Sequence, residues 1–243
     1  MGEITLGKWK IKTPAVCASV VAQTSVEAKS LADSAIARGA NLVEIRLDAF
    51  KLAPDWDELG KINAPVILTN RSKKEGGRFG GDEQERVAWL LQGIERIGAC
   101  VDIEFSTSRK LVQKVVESAK SRGTGIIISH HDFRGTPKPE SLLKIATKME
   151  QAGADVVKIV TMCRSWKDVE NLMNFAVETI KNLSKPVITF GMSKEGLITR
   201  YLSLVINNPV IYAAAGPSAA PGQPDLETVI SFLKEIPEWE VKD

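Results

Sequence analysis

One lysine stands in the middle of a Val/Ile run: ADVVKIVTM places Lys158 at the centre of a segment otherwise fit for burial. A lysine withdrawn from water loses its hydration shell, so its pKa falls, and nearby Arg46, Arg71 or a protonated histidine would lower it further. The neutral amine that results can attack a ketone. The alternative is a lysine paired with a carboxylate such as Glu44, holding a protein interior together. The chain's two histidines, His130 and His131, are adjacent and close another apolar run. Alternation along a strand sends them to opposite faces, and histidine is the natural acid/base near neutral pH. Polar residues end other apolar runs: Glu44 and Arg46 share a face, Arg71 has Glu75 on the following loop, and Asp102 and Glu104 share a run. Arg200, after Gly196 in KEGLITR and near the start of a helix, could clamp a carboxylate in a bidentate way. Its alternative is a solvated helix arginine.

These residues need a scaffold that brings strand ends together. Short apolar runs recur about every thirty residues: AVCASVV (15–21), NLVEIRL (41–47), APVILTN (64–70), ACVDIEF (99–105), TGIIISH (124–130), ADVVKIV (154–160), KPVITFG (185–191) and PVIYAAA (209–215). Their Val/Ile content and length suit buried parallel strands. Helical stretches lie between them, with N-caps at Ser25, Asp82, Thr107 or Ser108, and Ser165, and stops at Gly39, Gly98 and Gly123. Alternation of this kind builds a closed barrel or an open doubly wound sheet. Eight evenly spaced units without a glycine fingerprint after the first favour a single-domain (β/α)8 TIM barrel over residues 1–243, whose chemistry sits at the C-terminal strand ends. Residues 4–12 could form a hairpin around Leu6-Gly7 that closes the bottom.

Composition excludes several classes. The 243 residues are 44% apolar and 26% charged, with a net charge of +2, so nothing calls for nucleic acid or an anionic membrane. No apolar run reaches spanning length, and MGEITLGKWKIK has no signal-peptide core. Cys17, Cys100 and Cys163 are scattered, which suits buried thiols in a reducing cytoplasm. No Cys/His cluster or HExxH motif points to a metal, and no cofactor is expected. GGRFGG (76–81) lacks the Walker ending and reads as a flexible loop. GPSAAPGQP (216–224) is a connecting loop or a lid.

Taken together, VEIRLD (43–48), NRSKKEGG (70–77), DIE (102–104), SHHDFRGTP (129–137), ADVVKIVTM (154–162), GMSKEGLITR (191–200) and SAAPGQ (218–223) resemble the type I 3-dehydroquinate dehydratases of the shikimate pathway, over nearly the whole chain. The resemblance implies that Lys158 forms the Schiff base, that His131 rather than His130 is the proton shuttle, and that Glu75 orients it. It implies that Arg200 binds the substrate carboxylate, and that Glu44, Arg46, Arg71, Gln223 and, more weakly, Ser19 contact 3-dehydroquinate. Three positions depart from the pattern: Ala219 replaces a lid serine, with Ser218 beside it, Phe190 replaces a methionine, and Tyr212 replaces a phenylalanine. A homodimer is the expected assembly, as is common for such barrels. Two other functions compete: a class I aldolase or transaldolase, and a barrel that binds a small acid without catalysis.

Overall fold

The computed structural model describes residues 2–217, 220 and 222–235. The chain opens with an antiparallel hairpin, β1 (Glu3–Leu6) and β2 (Trp9–Lys12), in which Leu6 faces Trp9. Gly7 turns it with a φ of +61°, and a Cβ there would lie 2.7 Å from the Gly125 nitrogen. The hairpin therefore presses backbone against backbone on the N-terminal edge of the sheet, which only glycine permits.

Eight parallel strands follow: β3 (Ala15–Val20), β4 (Leu42–Arg46), β5 (Val66–Thr69), β6 (Cys100–Glu104), β7 (Ile126–Asp132), β8 (Val156–Met162), β9 (Val187–Met192) and β10 (Val210–Ala214). All eight apolar runs of the sequence become these strands. Each pairs with the next, and β10 pairs back onto β3, with Tyr212 opposite Cys17. Among the described residues only β9 and β10 lack a ladder, so the barrel is nearly closed. Across that seam Asn208 Nδ2 donates to the Thr189 carbonyl at 3.3 Å, and the Phe190 and Tyr212 rings lie 6.0 Å apart.

The helices are α1 (Ser25–Ala37), α2 (Trp56–Leu59), α3 (Glu83–Ile97), α4 (Arg109–Arg122), α5 (Pro139–Gln151), α6 (Trp166–Asn182), α7 (Ser193–Ile206) and α8 (Leu226–Glu235). Asp82 and Ser165 cap α3 and α6 through their side chains. Ser25 does not cap α1: Thr24, in extended conformation, accepts from Glu27 N instead, and Ser25 is the first helical residue. At α4 the cap position is Ser108, without a side-chain bond, and the Thr107 hydroxyl instead accepts from Arg86 Nη2. Gly98 and Gly123 end their helices in the left-handed conformation.

Strand side chains divide between two cores. Outward residues such as Ala18, Val43, Leu68, Val101, Ile128 and Val157 pack on the helices. In α3 the buried Val87, Leu90 and Ile94 recur at helical spacing and form its inner face. Inward residues fill the barrel's lower half, where Ile4, Leu6 and Ile11 of the hairpin join Leu42, Ile67, Ile127, Val156, Ile188 and Val210. The hairpin closes the bottom of the barrel, as the sequence suggested. Each such buried side chain contributes about 1.5–3 kcal/mol, so the lower half is a packed plug. The upper half of the interior is where polar residues lie.

Candidate active site

Two residues above the plug, the inward positions of β4, β6 and β8 become charged, as Glu44, Asp102 and Lys158. Lys158 follows Val156 on β8 and is 3% exposed. Its Nζ donates to Asp102 Oδ2 at 3.0 Å and lies 3.6 Å from Glu44 Oε1. The face of Tyr212 lies 4.0 Å away, measured to the ring centroid. Its surroundings are thus less aliphatic than the run ADVVKIV suggested, and the ion pair expected of a structural lysine is present.

The carboxylates around Lys158 are themselves held in place. Glu44 accepts from Ser19 Oγ and from Thr69 Oγ1, each at 2.8 Å. Asp102 accepts from Arg71 Nη2 at 2.8 Å and from Ser129 Oγ at 2.6 Å. Burial raises the Asp102 carboxyl, but Arg71 and Lys158 outweigh it and hold it below its ordinary value. The same contest, with burial against Lys158 and Arg46, leaves Glu44 lowered. Arg71 also donates to Ser129 Oγ at 2.7 Å and lies 3.5 Å from Glu104. Glu104 belongs to the outer support: it accepts from Ser72 N at 2.7 Å and from Arg86 Nη1 at 2.5 Å. Sequence reasoning placed Asp102 and Glu104 at a reactive strand end but missed that Asp102 joins Lys158 to Arg71. The shared face of Asp102, Ser129 and Lys158 on neighbouring strands was the available signal.

His131 lies beyond Ser129 on β7. Its backbone N–H donates to Glu75 Oε2 at 2.9 Å, and its Nδ1 meets the same oxygen at 2.9 Å. Glu75 ends a short helical turn, Lys73–Glu75, and also accepts from Ser106 Oγ. Burial pushes Glu75 up, but its hydrogen bond to His131 and the nearby charges bring it below its ordinary value. An ionised Glu75 can only accept, so Nδ1 carries the proton and Nε2 is the nitrogen left for proton transfer. The imidazole is pushed down to about 4, first by burial and then by Arg71, with Lys158 adding to it against the Glu75 bond. His131 is therefore a neutral base at neutral pH. His130, outside this network, pairs in register with Ile159.

The loop that follows Glu75, the partner of His131, is shaped by contact. A Cβ on Gly77 would lie 1.8 Å from the Arg71 carbonyl oxygen, so that glycine is where Arg71 and the Glu75 turn meet. GGRFGG is a loop, as expected, with its first half packed on the site.

Arg200 lies at the middle of α7, not near its start, and is 1% exposed. The solvated alternative is thereby excluded. Its Cζ sits 4.1 Å from the Phe190 centroid, and its Nε and Nη2 have no hydrogen-bond partner among the described residues. Burial draws its pKa down to about 10. Arg46 forks onto Asp48 through Nε and Nη2, at 2.8 and 2.9 Å.

A cavity of about 100 Å³ connects these groups: Ser19, Glu44, Arg46, Arg71, Glu75, His131, Lys158, Arg200 and Gln223 all line it, with Phe190 and Tyr212. Every site residue expected from the sequence is in this one place. Ala220 and Gln223 bring the loop after β10 to its rim; the lid-serine positions, Ser218 and Ala219, lie outside the described residues. Among the described residues no group of His, Cys, Asp and Glu could hold a metal ion, and no helix is long and apolar enough to cross a membrane. The three cysteines are free and buried.

The geometry agrees with comparisons to known proteins. Residues 16–238 match the family model for type I 3-dehydroquinase. The 3-dehydroquinate dehydratase of Methanosarcina acetivorans is 34% identical, over 95% of this chain and 98% of its own. The 3-dehydroquinate dehydratase structure from Geobacillus kaustophilus superposes with a TM-score of 0.87 at 28% identity, over 96% of each chain. The type I enzyme from Clostridium difficile, solved with covalently modified comenic acid, gives 0.85 at 25% identity, over 97% of this chain and 99% of that one. A shared fold, sequence similarity over nearly the full length and a matching family model lead to one conclusion: the chain belongs to the type I 3-dehydroquinase family.

Proposed function

We propose that this protein dehydrates 3-dehydroquinate to 3-dehydroshikimate through an imine on Lys158, in the shikimate route to chorismate and the aromatic amino acids. The observation that carries the reading is the convergence on one cavity of Lys158, His131 and an Arg200 whose Nε and Nη2 have no partner among the described residues.

Lys158 Nζ adds to the substrate ketone, the carbinolamine loses water, and a protonated imine remains. Attack requires a proton to leave Nζ first; Asp102 Oδ2 and Glu44 Oε1 are the acceptors in reach. The iminium withdraws electrons and acidifies the adjacent C–H. His131 Nε2 removes that proton to give an enamine. The imidazolium, oriented by Glu75, then protonates the β-hydroxyl, which departs as water. Hydrolysis of the conjugated imine releases the enone and restores Lys158. Arg200 takes the substrate carboxylate with the N–H groups that the protein leaves unused. Arg46, Arg71, Glu44, Ser19 and Gln223, which line the same cavity, contact its hydroxyls and carbonyl in this scheme. The lysine supplies the electronic sink, so the scheme needs no cofactor.

A second reading has one observation in its favour. The ion pairs of Lys158 with Asp102 and Glu44 are what a barrel that binds a small acid without catalysis would also show. Ultraviolet absorbance decides between them. Growth of the conjugated-enone band on mixing with 3-dehydroquinate is the expected result. A flat trace with tight binding would establish the second reading.

The free buried cysteines support a cytoplasmic site of action. For assembly we infer a homodimer formed on the neighbouring helices α6 and α7, where Val177, Ile180, Ile198, Leu202 and Val205 are exposed. Sedimentation should give twice the chain mass; a monomer at micromolar concentration would refute it.

A further inference from the structure

Phe190 and Tyr212 face each other from β9 and β10, the one neighbouring pair of strands with no ladder among the described residues. Their rings are 6.0 Å apart and inclined at 47°. Each ring carries one of the cavity's cations on its face: Lys158 Nζ lies 4.0 Å from the Tyr212 centroid, and Arg200 Cζ lies 4.1 Å from the Phe190 centroid. Both rings are buried, so no water weakens the attraction of the π-face for positive charge.

A ring face differs from a carboxylate as a partner for these groups. It attracts a cation without accepting a proton or occupying an N–H donor. With Arg200 stacked on Phe190, Nε and Nη2 have no partner among the described residues, and they form the edge a carboxylate binds in a fork. At Lys158 the advantage is of another kind. The charge on nitrogen persists when the ammonium becomes an iminium, so a ring that holds the first also holds the second. Asp102 can take a proton from that nitrogen; Tyr212 cannot.

We propose that Phe190 and Tyr212 are paired positioning residues that fix the separation between the imine nitrogen and the carboxylate-binding guanidinium, and so select substrates by their ketone-to-carboxylate span. This rests on the reading of Lys158 and Arg200 given above. The two rings act on different kinetic constants. Phe190 acts through Arg200 on carboxylate binding, and Tyr212 acts through Lys158 on imine formation.

The test compares Phe190→Leu, Tyr212→Leu and Tyr212→Phe with 3-dehydroquinate, scoring KM, kcat and the rate of borohydride trapping. Phe190→Leu should raise KM about tenfold or more, with kcat within about threefold, for a desolvated cation–π pair. Tyr212→Leu should slow trapping and kcat by about thirtyfold, with little change in KM, and Tyr212→Phe should recover the loss to within about threefold because the ring face remains. Mono-, di- and trifluorinated phenylalanine at position 212 then drains the ring's negative face at nearly constant volume. Trapping should fall stepwise with each added fluorine. This series also decides the matter where a leucine variant fails to fold. A trapping rate indifferent to fluorination, or leucine variants that change KM and kcat alike, would overturn the proposal. Wild-type protein that traps no substrate would instead refute the imine reading itself.

Discussion

The cavity's two walls settle their charges differently. Along β4 to β8, Arg71 bonds to Asp102 and Ser129, Lys158 bonds to Asp102, and Glu75 bonds to His131. Each buried charge there has a named counterpart. Along β9, α7 and β10, Arg200 is as deeply buried as Arg71, yet among the described residues its Nε and Nη2 have no partner, nor does the Tyr212 hydroxyl. A buried polar group without a partner costs about 1–3 kcal/mol. The first wall is electrostatically complete when the chain folds; the second leaves donors open to a ligand. The contrast in pKa follows from this, since acids raise Arg71 above its ordinary value while burial lowers Arg200 to about 10.

Removing His131, the proposed proton shuttle, from the completed wall gives the largest expected effect. His131→Ala should cut kcat by on the order of 10²–10⁴-fold while Lys158 still traps substrate. Near-normal turnover would remove His131 from the mechanism. The contrast between walls is tested next by Asp102→Asn against Arg200→Met in thermal or denaturant unfolding. Asp102→Asn strips counter-charge from Arg71 and Lys158 and should cost about 3–5 kcal/mol, the loss seen when one member of a buried ion pair is removed. Arg200→Met removes a buried charge that has no counter-ion among the described residues, so stability should hold or rise while KM climbs by about ten- to a hundredfold for a lost charged hydrogen-bond pair. Equal destabilisation in both variants would erase the distinction.

The smallest effect concerns pH. His131 must be neutral to act as base, and its pKa lies near 4 instead of the usual 6.5. The neutral form therefore persists as pH falls, and kcat/KM should be lost only as pH drops through about 4. An acid limb near 6.5 would mean that burial and Arg71 do not act on the ring as described. Glu75→Gln removes the negative charge that helps raise His131, so any surviving limb should move to still lower pH.

Much of this was legible in the sequence because barrel strands declare themselves by short Val/Ile runs, and because polar residues interrupting those runs are costly unless used. Lys158 in ADVVKIV and Glu44 in NLVEIRL were visible on that ground alone, and the lining residues were assigned through resemblance. What escaped depended on distance in space. Asp102 bridges Lys158 and Arg71 across strands 56 and 31 positions away, which no local pattern encodes. Ser106, the second partner of Glu75, is one serine among many. The sequence suggests a place near a helix start for Arg200, after Gly196 in KEGLITR. In the fold Gly196 lies inside α7, where it is packed against Gly191. Thr24 displaced Ser25 as the cap because its extended backbone aims the hydroxyl at Glu27 N, a matter of φ and ψ that two adjacent hydroxyl residues leave open.

The most direct test is covalent. Treating the protein with 3-dehydroquinate and borohydride, then mapping peptides by mass spectrometry, should place one reduced substrate adduct on Lys158 and none on the Lys158→Ala variant, which should also be inactive. An unmodified Lys158 in protein that turns over substrate, or full turnover by Lys158→Ala, would contradict the account.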